Sequence, residues 1–212
     1  MFTVRREAYC QRARWLEGFK QCERLLDEKG SEDRFWRPRA PPTYSDRPQQ
    51  LSHSQISENV VVARNAILTE CLLSLPERGS FDRDAEGKRF GWLLAGSESD
   101  MFAIHGACGF SRLLLFRIRQ VTLWAASTHI EASSVHMLAD LLLEALQVMR
   151  QFSKEAPGRN TWDAAKGGDA IIVKVRQKPK GYVVTDRHEM TDVTAEAWRI
   201  ATMIYLQCRA LR

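Results

Sequence analysis

The chain has 212 residues, 44% of them apolar and 27% charged, which suits one domain with a sizeable core. Its 31 Lys and Arg against 26 Asp and Glu leave a net charge of +5, interspersed along the chain rather than gathered on one run as nucleic-acid binders usually have it. No stretch reaches the ~18 to 20 uninterrupted apolar residues that cross a bilayer, because Arg117, Arg119 and Gln120 break the longest candidate; the start, Met1-Phe-Thr-Val-Arg-Arg-Glu7, has no apolar signal core. A soluble intracellular protein is expected.

Residues 4–29 read as an amphipathic helix, with Ala8, Trp15, Phe19, Cys22 and Leu26 near a heptad seam and Gly30 as the stop. That helix can pack on its own domain or form a dimer coil. Residues 30–55 are rich in Pro, Ser, Arg and Gln and read as a disordered or extended linker. A second helix is predicted over 57–74, capped by Ser57 and stopped before Pro76, with Val60, Ala63, Ile67 and Cys71 on its core stripe. A polar loop, a helix over 89–95 and a short helix over 100–105 follow, the last interrupted by Gly106 and Gly109. Ser111 is the N-cap expected for a helix over 112–127, with Leu115, Ile118, Thr122 and Ala125 on one side. Another long helix begins at Ser133 or Ser134 and runs to Phe152, with Leu138, Leu142, Ala145 and Met149 aligned.

Residues 157–168 read as a glycine-rich loop. Alternation of Val173 and Val175 with Lys174, Arg176 and Lys178 predicts a small hairpin over 171–184. In the last helix Ala197, Ala201, Ile204, Cys208 and Leu211 recur at four, three, four and three, giving an apolar stripe that Trp198 and Tyr205 widen. Thr191 or Asp192 is its expected cap. No stop signal follows Leu211, so the chain reads as a fragment or a shortened relative of something larger. The fold class expected is all-α, in three parts: 1–29, the linker 30–55 and a helical domain over 56–212.

Two blocks of sequence carry a resemblance. Val193-Thr-Ala-Glu-Ala-Trp-Arg199 with Ile204-Tyr-Leu-Gln-Cys-Arg209, and Trp92-Leu-Leu-Ala-Gly-Ser-Glu-Ser-Asp100 with Ile104-His-Gly-Ala-Cys-Gly-Phe-Ser111, resemble the regulatory region of fungal zinc-cluster transcription factors. The resemblance spans roughly residues 59–212. It implies an all-helical, non-catalytic domain of a nuclear regulator of RNA polymerase II transcription, with a dimer partner or coregulator and a small-molecule effector. The chain departs from that family in one respect: Cys10, Cys22, Cys71, Cys108 and Cys208 are scattered, and no pair has the short gap that places two thiolates on one zinc ion. Specific DNA binding by this chain alone is therefore not expected, nor is a membrane partner.

Other chemistry is weak. Asp82-Arg-Asp-Ala-Glu-Gly87 matches the first half of a calcium loop, but Leu93 stands where the bidentate glutamate belongs. Cys108 with His105 invites a thiol nucleophile and base, yet no orienting acid or oxyanion hole accompanies them, and a tight helix junction explains the glycines better. Glu131, His136 and Asp140 offer a metal set that more often forms a surface pair. His188-Glu189 lacks the second histidine of a zinc protease. Lys174 to Lys180 is the densest basic tract, able to touch phosphate or to serve as an import signal, though a solvated hairpin or loop suits it better. No catalytic, cofactor, metal or nucleic-acid residue is expected.

Overall fold

The computed structural model describes residues 53–72, 90–106, 108–126, 132–158 and 160–210. The helix expected over 4–29, most of the linker and the calcium-like loop at 82–87 lie outside these residues. Seven α-helices occur among them: α1 (His53–Leu72), α2 (Glu98–Phe102), α3 (Arg112–Ala126), α4 (Ala132–Val148), α5 (Trp162–Gly167), α6 (Ile171–Arg176) and α7 (Arg187–Ala210). A 3-10 turn (Gly91–Leu94) precedes α2, and the strands β1 (Ile104–His105) and β2 (Phe110–Ser111) form a small antiparallel pair. The fold is all-α, as the periodicities predict.

Helix α3 is central, packed against α1, the 3-10 turn, α2, β2 and α7. Its Leu114, Leu115, Ile118 and Val121 are buried and lie on one broad apolar face. Ser111 caps it as expected, Leu114 N–H donating to Ser111 Oγ at 3.3 Å. Val60, Ala63, Ala66 and Ile67 of α1, Trp92 and Leu93 of the 3-10 turn, Ala139, Leu142 and Leu146 of α4, and Ala195 and Leu206 of α7 complete the main core. A satellite core gathers Ala103, Phe152 and Ala165 under Phe102 and Trp162, whose rings stack 4.1 Å apart.

Several expectations are corrected. Helix α1 begins at His53, inside the segment expected to be linker, so Ser57 is within the helix rather than its cap. The predicted helix over 89–95 is a single 3-10 turn, and 100–105 divides between α2 and β1. Helix α4 stops at Val148 because Phe152 bonds elsewhere: its N–H donates to Phe102 O (3.3 Å) and its carbonyl accepts from Ile104 N (2.8 Å). The loop over 157–168 contains α5, capped by Thr161, whose Oγ1 accepts from Ala164 N. The hairpin over 171–184 is instead α6, packed on α7 with Lys174 and Arg176 in its last turn, where the helix dipole favours cations.

The largest correction concerns α7. Asp186, not Thr191 or Asp192, caps it, its Oδ2 accepting from Glu189 N at 2.7 Å. Its buried line is Ala195, Arg199, Thr202 and Leu206, whereas Ala197, Ala201, Ile204 and Cys208 are exposed. Arg199 can be buried because its bonds are met. Nη1 donates to Leu146 O (2.6 Å) and Gln147 O (3.4 Å) at the end of α4, and Nη2 pairs with Glu196 at 2.6 Å. Thr202 Oγ1 donates to Trp198 O. Trp198 does flank the core, its ring tilted on Phe110 at 5.0 Å.

Candidate functional site

The site starts from a tight turn. Gly96 takes φ +97°, which L side chains rarely adopt, and a Cβ there would stand 3.1 Å from Asp100 Oδ2 and 3.5 Å from Arg112 Nη2. The following Ser97 caps α2 through a reciprocal box: Asp100 N–H donates to Ser97 Oγ (3.2 Å), while Ser97 N and Oγ donate to Asp100 Oδ2 (3.2 and 2.8 Å). Lys154 Nζ pairs with the other oxygen, Oδ1, at 3.1 Å. The Ser97 side-chain bond, joined by Lys154 and opposed by partial burial, holds the Asp100 carboxyl at about 2 against its ordinary 3.8.

Arg112 enters this corner from the first turn of α3. It is only 5% exposed, and two of its three nitrogens donate to carbonyls: Nη2 to Ala95 O (2.9 Å) and Nε to Asp100 O (3.4 Å). Burial pushes its pKa down and the Asp100 charge pulls it back up.

These groups line a cavity of about 570 Å³, with walls completed by Ile56 of α1, the β1–β2 loop, the 153–155 segment and the start of α7. A volume of this size lies within the range of small-molecule sites. Arg187, His188 and Thr191 project from α7; His105 and Cys108 come from the hairpin. Gly109, at φ +75°, lets the four-residue loop close: Cys108 N and Gly109 N both donate to His105 O, at 2.9 and 2.8 Å. Gln151 ties β2 to α7. Its Oε1 accepts from Ser111 N and its Nε2 donates to Ala195 O, both at 2.8 Å.

His105 and Cys108 thus share the cavity wall, but burial, opposed by the Arg64 charge, pushes the Cys108 thiol up to about 11 from 9.0. A thiol held protonated at neutral pH is a poor nucleophile. His136 and Asp140 are exposed on α4, and Glu131 lies outside the described residues. Leu93 is fully buried. Glu189 is engaged by Lys178 Nζ (2.8 Å) and by the Tyr182 hydroxyl (2.6 Å), which takes part of the basic tract out of play. Among the described residues no three His, Cys, Asp or Glu side chains cluster as a metal ion requires, and no helix is long and apolar enough to cross a membrane.

The residues that sequence reasoning missed are Arg112, Gln151, Lys154 and Arg187. Arg112 sits in the first turn of its helix, where the dipole disfavours a cation, but with Arg117 and Arg119 on the same helix it does not stand out in the sequence. No known protein family, curated protein or solved structure matches the chain.

Proposed function

We propose that this chain is a non-catalytic regulatory domain of the kind found in fungal zinc-cluster transcription factors, acting in the nucleus on transcription by RNA polymerase II. It receives a small-molecule effector in the cavity and engages a dimer partner or a coregulator through its helical surface, without specific DNA contact of its own. The observation that carries the reading is the meeting of the two resemblance blocks. Phe110 of one packs on Trp198 of the other at 5.0 Å, and Gln151 bonds Ser111 of the first and Ala195 of the second. The two stretches that carry the likeness are thus packed together, and the first of them supplies Ala95, Gly96, Asp100, Ile104, His105 and Cys108 to the cavity wall.

A second reading, a helical protein-interaction scaffold with no part in transcription, is favoured by Met137, Leu141 and Val148, which are exposed along α4. Fusion of the full chain to an unrelated DNA-binding domain separates the two. A reporter driven by that domain should change several-fold when the chain is attached. An unchanged reporter, with the fusion folded and in the nucleus, rejects the transcriptional reading in favour of the scaffold. Sequence-selective retention of duplex DNA by the chain at physiological salt would count against both.

A further inference from the structure

We infer that the cavity beside the Gly96 turn is a site for a small organic carboxylate, its head received by Arg112 and Arg187 and its aliphatic body lying against Ile56, Ala95, Ala103 and Ile104. The inference deepens the effector reading of the cavity and rests on it, but not on what the effector controls.

Arg112 carries the argument. A guanidinium that is nine-tenths buried ordinarily has a carboxylate beside it, because desolvating an unpaired charge is costly. Here the carboxylate that acts on it is Asp100, at a distance and with no hydrogen bond between the two: Asp100 Oδ2 bonds Ser97 and Oδ1 pairs with Lys154. Arg112 makes no ion pair among the described residues. Its two hydrogen bonds, from Nε and Nη2, go to neutral carbonyls, and Nη1 has none among the described residues. Arg112 lines the cavity, where that nitrogen can meet a ligand.

Charge in the rest of the wall agrees. With Lys154 and Asp100 paired to each other, Arg112 and Arg187 face only Glu155, leaving one positive charge in excess beside two imidazoles, His105 and His188. Arg187 is exposed and makes no side-chain hydrogen bond or ion pair among the described residues. A carboxylate would supply the missing acceptor to Nη1 in a charge-assisted bond. The alanine and isoleucine walls favour a ligand with a short hydrocarbon body over a bare inorganic anion.

Calorimetric titration of the full chain with hexanoate, hexanol and inorganic phosphate tests this. Hexanoate should bind saturably, and neither hexanol nor phosphate should match it. Arg187→Ala, which removes no bond within the protein, should weaken hexanoate several-fold with the melting temperature unchanged. Glu155→Gln, by lifting a repulsion, should tighten it about twofold to threefold, as expected for one nearby charge in a solvated site. Arg112→Gln should lose tenfold or more, and if that variant does not fold the other two still decide. Absence of saturation below about 10 mM, an affinity of under ~3 kcal/mol, overturns the site. Equal binding of hexanol overturns its anionic character, equal binding of phosphate overturns the carboxylate class, and an Arg187→Ala or Glu155→Gln affinity unchanged from the parent overturns the assignment of the head group. Hexanoate binding with an inert reporter fusion would reject the transcriptional reading alone, and a responsive reporter without binding would reject the carboxylate site alone.

Discussion

Two buried arginines in this protein are treated in opposite ways. Arg199, on α7, has Glu196 at 2.6 Å and the carbonyls of Leu146 and Gln147 at the end of α4; its charge and its donors are answered within the protein. Arg112, on α3, is as deeply buried but among the described residues bonds only neutral carbonyls, with Nη1 unbonded at a cavity wall. The difference teaches how to tell a structural polar group from one that can serve a ligand. A fully answered group adds rigidity, because its bonds would be lost if the helices moved. A partly answered one keeps interaction energy for something outside the chain.

The sharpest way to break the contrast is Arg199→Ala. It strands Glu196 and leaves the last carbonyls of α4 without their donor, so stability should fall by about 3 to 5 kcal/mol in chemical denaturation, the usual result of removing one partner of a buried pair. A loss under about 1 kcal/mol would mean that water replaces the guanidinium and that the two arginines are not different in kind. Comparable in size is Gln151→Ala, which orphans the Ser111 N–H and the Ala195 carbonyl together. A cost of about 2 to 6 kcal/mol is expected, at roughly 1 to 3 kcal/mol for each stranded group. Gln151→Glu keeps the acceptor for Ser111 but sets a buried carboxylate against the Ala195 carbonyl, and at neutral pH should cost at least as much as the alanine variant.

A smaller effect sharpens the Arg112 side. Asp100 is ionised in both the folded and the unfolded chain above its ordinary 3.8, so its contribution is complete there. As pH falls from 3.8 toward about 2 the unfolded chain takes up the proton first, and the contribution drains away across that window. Asp100→Asn should remove this part of the acid dependence, and a parent and variant with superimposable acid-unfolding curves would refute it. Ser97→Ala, which deletes the cap itself, should cost about 1 kcal/mol. Smallest in energy is a labelling test. A maleimide at neutral pH should modify exposed Cys208 well before buried Cys108, whose thiol stays protonated; rapid labelling of Cys108 in the folded protein would reopen the nucleophile reading.

The sequence by itself determined the all-α class, the existence of the helices now seen as α1, α3, α4 and α7, the Ser111 cap and the core residues Val60, Ala63, Ile67, Leu115, Ile118 and Leu142. These follow from local periodicity and capping chemistry, which act within a few residues. It misjudged the buried face of α7, because an apolar count cannot know that Arg199 will find the end of α4 or that Thr202 will bond its own helix. Alternating Val and Lys over 171–176 fit a strand as well as a short helix, and packing on α7 decided for α6. The cavity belonged wholly to tertiary structure. Ile56, Gly96, Arg112, Lys154 and Arg187 are far apart in the chain, and each is unremarkable alone. What makes them a site is that burial removes water from Arg112 while Asp100, whose charge reaches it, bonds Ser97 and Lys154 instead. That outcome depends on distances the linear sequence does not contain.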